Sequence, residues 1–246
     1  MSIYVKNGGV WKPARPSIKD GGVWKTVQKA FVKNAGVWKQ FFSNFGNKVT
    51  CNFTGSAQTF TVPAGVTALR IKAWGAGGGG PFLSGQGGAG GFVRADVVVT
   101  PGPVITINVG QGGIYADQST TPWADGSPAA WVGAGGGGAS SSATGSGFYI
   151  GGGGGGGASD GNTGAGNQPG GPGGTTLAPA AYGGAPGGRF QAGGAGGANS
   201  ITGGTFATSI AGTGANPDSS DPDFPNAGFG GTATLNGANG AVIIAY

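Results

Sequence analysis

The sequence contains no histidine and no glutamate. The side chains most often tuned as general acids and bases are therefore missing, and enzymatic activity is not expected. Metal sites built on imidazole or paired thiolates are excluded as well, because Cys51 is the only cysteine. A lone cysteine also rules out an intrachain disulfide, and its alternation with Val49 and Phe53 suits a small buried apolar residue better than a reactive thiol. Charged residues make up only 9% of the chain, and methionine occurs once. With so few strong helix formers, an all-β or extended fold is expected, with almost no α-helix. No apolar run approaches the roughly 18 residues of a membrane span. Met1 is not followed by a basic segment and an apolar core of the export type, so the expectation is a protein made in the cytoplasm without a signal peptide.

What the chain has instead is glycine, 61 residues of 246, together with 15 prolines. Between positions 151 and 200 glycine fills 22 places, beginning with the run Gly151 to Gly157. Each glycine gives up more backbone freedom on folding than any other residue, so such a tract needs a compensating interaction. A left-handed extended helix of the polyproline II type has three residues per turn and no internal hydrogen bonds, so its N–H and C=O groups point sideways. Where side chains are absent, several such segments can approach and bond to one another. A packed slab of polyglycine II helices is the resulting expectation, with disorder as the competing one. The strict Gly-X-Y period of collagen is absent.

Charge is unevenly divided. Residues 1–50 carry nine Lys and Arg against Asp20 alone, a net +8, and the remainder carries four bases against seven aspartates, a net −3. The basic segment repeats itself: Val5-Lys6-Asn7-Gly8-Gly9-Val10-Trp11-Lys12 returns as Ile18-Lys19-Asp20-Gly21-Gly22-Val23-Trp24-Lys25 and as Val32-Lys33-Asn34-Ala35-Gly36-Val37-Trp38-Lys39. Asn7-Gly8 and Asp20-Gly21 between β-branched residues predict hairpins in the first two repeats, and the third, with Asn34-Ala35-Gly36, is read as a hairpin with them because it repeats the same pattern. A lone hairpin is barely stable in water, so Trp11, Trp24 and Trp38 point to a docking module over 1–46. Lys interleaved with Trp also suits nucleic acid, but no nucleic-acid partner is expected, since a basic segment of this kind is more often a solvated or anion-facing surface.

From Lys48 the pattern becomes alternating, which predicts strands around 49–53, 60–62, 69–73, 92–100 and 104–109. Pro63-Ala64-Gly65 reads as a short turn between two of them. The run Ala241-Val242-Ile243-Ile244-Ala245-Tyr246 suits a buried strand that pairs back onto the earlier ones. These predict a small antiparallel β frame over 47–110 and 232–246, holding a slab with loops over 111–231.

The motifs Phe60-Thr61-Val62-Pro63-Ala64-Gly65-Val66 and Ile71-Lys72-Ala73-Trp74-Gly75-Ala76-Gly77-Gly78-Gly79-Gly80, with the later Val97-Val98-Val99-Thr100-Pro101-Gly102 and closing Val242-Ile243-Ile244, resemble the glycine-rich domain of many phage tail proteins. A related pattern occurs in the ectodomain of anaplastic lymphoma kinase. The Gly-Gly-Val-Trp-Lys repeats are similar to those of phage structural proteins. The resemblance extends to the T-even tail-tip adhesins, a sandwich of polyglycine II helices with variable distal loops. It implies a virion protein without cofactor, a tail fibre or tail-tip adhesin that meets a bacterial surface glycan or outer-membrane protein. Its other partners would be tail or virion proteins met through 1–46, and a homo-oligomer is one option. The alternatives are a non-adhesive neck, collar or capsid decoration, and an ice-binding protein, since flat polyglycine II slabs serve that role in some animals.

Non-glycine islands interrupt the glycine region and carry aromatics among small polar residues, the composition of recognition loops. The receptor-binding candidates are Tyr115, Trp123, Asp125, Phe148, Tyr149, Tyr182, Arg189 and Phe224, and the equally available role for each ring is to cap an apolar edge. Asp218, Asp221 and Asp223 could offer oxygen ligands to calcium, although their spacing is not that of an EF-hand and such a run is usually a solvated turn. Gly75-Ala76-Gly77-Gly78-Gly79-Gly80 fits a dinucleotide-binding pattern, but Pro81-Phe82-Leu83-Ser84-Gly85 cannot open the helix that would hold a pyrophosphate.

Overall fold

The computed structural model describes residues 3–7, 10–14, 17–27, 29–34, 37–43, 45–81, 86–115, 137–158, 199–212 and 216–246. Among them every regular element is a strand, in keeping with the scarcity of helix formers, and no helix is long and apolar enough to cross a membrane. The chain forms two compact units, Met1–Lys48 with Ala245–Tyr246, and Val49–Ile244.

The first unit contains three antiparallel hairpins, each its own two-stranded sheet: β1 (Ile3–Asn7) with β2 (Val10–Ala14), β3 (Ser17–Asp20) with β4 (Val23–Thr26), and β5 (Lys29–Asn34) with β6 (Val37–Ser43). The repeat is kept in the pairing: Lys6 lies opposite Trp11, Lys19 opposite Trp24 and Lys33 opposite Trp38. The turn of the middle hairpin sits one residue later than Asp-Gly predicts. Asp20 pairs with Val23, and Gly21 and Gly22 take the two central places at φ 59° and 84°. Glycine occupies that left-handed region without steric cost, whereas Asp tolerates it less well.

The second unit is a β-sandwich with an array of glycine segments attached. One sheet has the order β15–β10–β9–β16–β7, made of β7 (Lys48–Asn52), β9 (Ala68–Trp74), β10 (Phe92–Val98), β15 (Gly204–Ile210) and β16 (Ala241–Ala245). The other has the order β14–β13–β12–β11–β8, made of β8 (Gln58–Thr61), β11 (Val104–Asn108), β12 (Ser141–Gly145), β13 (Phe148–Gly152) and β14 (Ser200–Thr202). β9 and β10 face β12 and β13 across the core, where Leu69, Ile71, Val93, Ala95, Ile105, Ile107 and Ile150 are buried. The apolar strand β16 pairs back between β9 and β7 as expected, and its five residues are all buried. Pro63-Ala64-Gly65 lies between β8 and β9 as expected, and because these strands belong to different sheets it carries the chain from one layer of the sandwich to the other.

Beyond the strand ends, the backbone continues as glycine-rich segments that bond sideways. Residues 75–81 are all buried and form the centre. Gly75, Ala76, Gly77, Gly78 and Gly80 donate N–H to the carbonyls of Gly91, Ala139, Ala238, Gly88 and Leu235, while Ala76, Gly77, Gly78 and Gly79 accept from Gly155, Gly113, Gly231 and Ala158, all at 2.7–3.0 Å. Six other segments thus surround the central one. The partners recur every third residue: Gly75 and Gly78 reach 86–91, Gly77 and Gly80 reach 235–240, and Ala76 and Gly79 accept from 153–158. Threefold repetition of direction is the property of a chain with three residues per turn. A Cβ at Gly75, Gly77, Gly78, Gly79 or Gly80 would overlap a neighbouring backbone carbonyl, which is why the tract has no side chains there.

Sheets and array are interleaved along the sequence. Segments 75–81, 86–91 and 235–240, within the expected frame, belong to the array, and β12 to β15, within the expected slab, belong to the sandwich. Most of 111–231 otherwise lies outside the described residues. Asn199 ties the two parts together, its Oδ1 accepting from Gly153 N–H and its Nδ2 donating to the carbonyls of Phe92 and Ile210.

Cys51 is buried in β7, and that burial pushes its thiol above the ordinary cysteine range. The native thiol should accordingly react with a disulfide reagent at pH 8 at least about tenfold more slowly than free cysteine, becoming fully reactive only on unfolding. Rapid native labelling followed by absorbance would contradict this placement.

Candidate recognition surface

The outer face of the β9–β10 pair is built from three cross-strand pairs, Arg70–Asp96, Lys72–Arg94 and Trp74–Phe92. The first is a two-pronged ion pair, Arg70 Nε and Nη2 donating to Asp96 Oδ1 and Oδ2 at 2.7 and 2.9 Å. The third stacks two rings with centroids 4.6 Å apart. The middle pair sets two cations opposite each other, an arrangement that is destabilising by itself. The segment 216–229 resolves it. Lys72 Nζ, buried, donates to Asp221 Oδ1 at 2.6 Å and to Asp223 Oδ2 at 2.7 Å, and Arg94 Nη1 lies 3.7 Å from Asp221 Oδ2. Trp74 Nε1 donates to the carbonyl of Asp218 at 3.2 Å. Phe224 packs, half-buried, on the cluster formed by Trp74, Phe92, Ala227, Ala241 and Ile243.

The carboxylates weighed above as calcium ligands are engaged by protein groups: Lys72 pairs with both Asp221 and Asp223, and Asp218 accepts from Ser220 N–H and Oγ. Phe224 covers the Trp74 ring at 6.1 Å, the edge-capping role that was open to it beside receptor contact. Phe148 is buried in β13. Tyr149, its neighbour, is half-buried and pairs with Thr144 and Thr202.

Among the described receptor-binding candidates, Tyr115 is the one at the end of the array near Pro81 and Asn236. It is 41% exposed, and its N–H donates to Asn236 Oδ1 at 3.0 Å. Leu235, next to Asn236, is 58% exposed. Its carbonyl accepts from Gly80, its N–H donates to the Thr232 carbonyl, and Thr234, at φ 64°, donates to the Pro81 carbonyl. The backbone under both side chains is thus fixed by the array. The described segments 75–81, 110–115 and 153–158 all end on this side. Leu235 was missed because 232–246 reads as frame; the available signal was one large aliphatic residue in Thr234-Leu235-Asn236-Gly237, ahead of an Asn-Gly pair. Trp123, Asp125, Tyr182 and Arg189 lie outside the described residues. Trp24 stands exposed on β4, while Trp11 and Trp38 occupy the equivalent register in β2 and β6.

Comparison with protein families matches residues 52–246 to the one described as a glycine-rich domain. No curated protein matches the chain.

Proposed function

This chain belongs to the glycine-rich domain family, and from that membership, joined to the Trp- and Lys-bearing repeats of 1–46, we propose that it is a virion structural protein of a tailed phage, a tail-fibre or tail-tip adhesin. In this reading the glycine array is a bundle of polyglycine II helices, supported by the three-residue alternation of hydrogen-bond partners. Its work is mechanical: it holds loops in a fixed arrangement without a catalytic step. A preordered loop loses less entropy when it meets a partner, so a stiff support raises affinity without adding contacts. The partner class is a bacterial surface glycan or outer-membrane protein, and several copies on one particle would strengthen weak single contacts. Residues 1–46 attach the chain to other virion proteins.

The observation that carries the reading is Tyr115 with Leu235, two exposed large side chains on backbone pinned by the array at one end of it. Virions carrying Tyr115→Ala with Leu235→Asp should assemble normally and adsorb to their host at least about tenfold more slowly, the loss typical of truncating an interface anchor. Adsorption at the parental rate by particles containing the variant would instead assign the chain to a non-adhesive part of the virion.

A further inference from the structure

An amine and a carboxyl group are buried against each other in the second unit. Lys72, on β9, has 5% of its side chain exposed, and Asp221, in the segment 216–229, has 1%. Lys72 Nζ donates to Asp221 Oδ1 at 2.6 Å and to Asp223 Oδ2 at 2.7 Å, and Asp223 N–H donates to Asp221 Oδ1 at 3.0 Å. The other oxygen, Asp221 Oδ2, is also buried and has no hydrogen-bond partner. Arg94 Nη1 stands 3.7 Å from it. A buried carboxylate oxygen left unsatisfied is costly, so a resting ion pair does not account for this geometry by itself. An amine held beside a carboxyl carbon, away from water and touching a second carboxylate, is arranged for amide formation.

We infer that Lys72 Nζ and Asp221 Cγ join in an intramolecular amide bond with loss of one water. The ion pair is the state before the bond closes. Along the Nζ–Oδ1 hydrogen bond one proton passes from the ammonium to Oδ1, leaving a carboxylic acid and a neutral amine, the nucleophilic form. Nζ attacks Cγ, which lies one bond beyond Oδ1, and its second proton goes to Asp223 Oδ2. Negative charge then develops on Asp221 Oδ2, the oxygen without a partner, where the Arg94 guanidinium offsets it. Asp223 returns its proton to Oδ1, the Cγ–Oδ1 bond breaks, and Oδ1 departs as water while Oδ2 remains as the amide carbonyl. Amine plus acid gives amide plus water, and Asp223 ends as it began.

Proximity replaces chemical activation here, because an amine fixed against its acid has an effective concentration far above any reached in solution. Burial acts in the same direction, since it penalises two desolvated charges but not a neutral amide. The bond would close a loop across 149 residues and clip the segment onto β9. It concerns this pair alone and does not depend on the adsorption reading.

Mass spectrometry of the denatured full chain reads it directly. Folded wild-type protein kept for several days should become lighter than its sequence by one water, about 18 Da. Trypsin should then release a branched peptide joining 71–94 to 190–246, because the acylated Lys72 is no longer a cleavage site. The peptide is sought in the wild type, so no variant has to fold for the test to decide. Lys72→Arg, which keeps the charge, should hold its full sequence mass. Asp223→Asn should close the bond at least about a hundredfold more slowly, the usual share of a general acid–base group. Folded wild type that keeps its full mass, or a water loss that maps to an Asp-Gly pair such as Asp20-Gly21 instead of to Lys72, would overturn the bond; closure at the wild-type rate in Asp223→Asn would overturn the proton route.

Discussion

Gly78→Ala should cost about 3 kcal/mol or more, lowering the melting temperature by roughly 6–12 °C in a unit of this size. The added Cβ would overlap the carbonyl of Gly156, and that carbonyl belongs to a bonded segment that cannot retreat alone. Gly78 N–H donates to Gly88 and its C=O accepts from Gly231, so two further segments would have to move with it. Against the clash stands the smaller unfolded-state benefit of replacing glycine, about 0.4–1 kcal/mol. The clash wins by its magnitude. Gly46→Ala supplies the control: nothing lies within 4 Å of its Cβ position and its φ is not left-handed, so only the benefit remains. Equal melting of the two variants in calorimetry would remove the close-packed glycine array from consideration.

Lys72→Met should release the 216–224 segment and destabilise the second unit by about 3–5 kcal/mol, the usual cost of removing one partner from a buried ion pair. Asp221 has 1% of its side chain exposed, so its charge cannot recover hydration in place. Arg94, at 3.7 Å, is beyond hydrogen-bond reach and offsets only part of the loss. Lys72→Met combined with Asp221→Asn removes the stranded charge and should regain most of the stability. Denaturant unfolding gives the totals, and hydrogen exchange across 216–224 reports whether that segment opens first. A single variant within about 1 kcal/mol of wild type, with unchanged exchange, would show that the ion cluster does not hold the segment down.

The sequence made some features plain because their signals are local. The hairpins follow from the threefold repeat with its turn residues between β-branched positions, and β10, β11 and β16 from apolar runs of strand length. The glycine tract announced lateral packing because no regular element tolerates it otherwise. What stayed hidden depends on partners far along the chain. Ser141-Ser142-Ala143-Thr144 reads as a polar loop, yet becomes β12 because β11 and β13 flank it. The aspartates of 216–224 look like a solvated turn, and only the fold brings Lys72 to Asp221 across 149 residues. Phe148 and Tyr149 look alike in sequence, and strand alternation sends one inward and leaves the other half-covered.

The partners of residues 75–81 also govern time. Its bonds reach from Gly91 to Ala238, and β16 is inserted between β9 and β7. Almost none of this order can be rehearsed locally, and chains dominated by distant pairings close late and slowly. While being synthesised, the chain must carry an unfinished sheet, with the lane between β9 and β7 vacant, until residues 235–245 emerge. Its yield in a cell therefore rests on how long that nascent intermediate stays soluble.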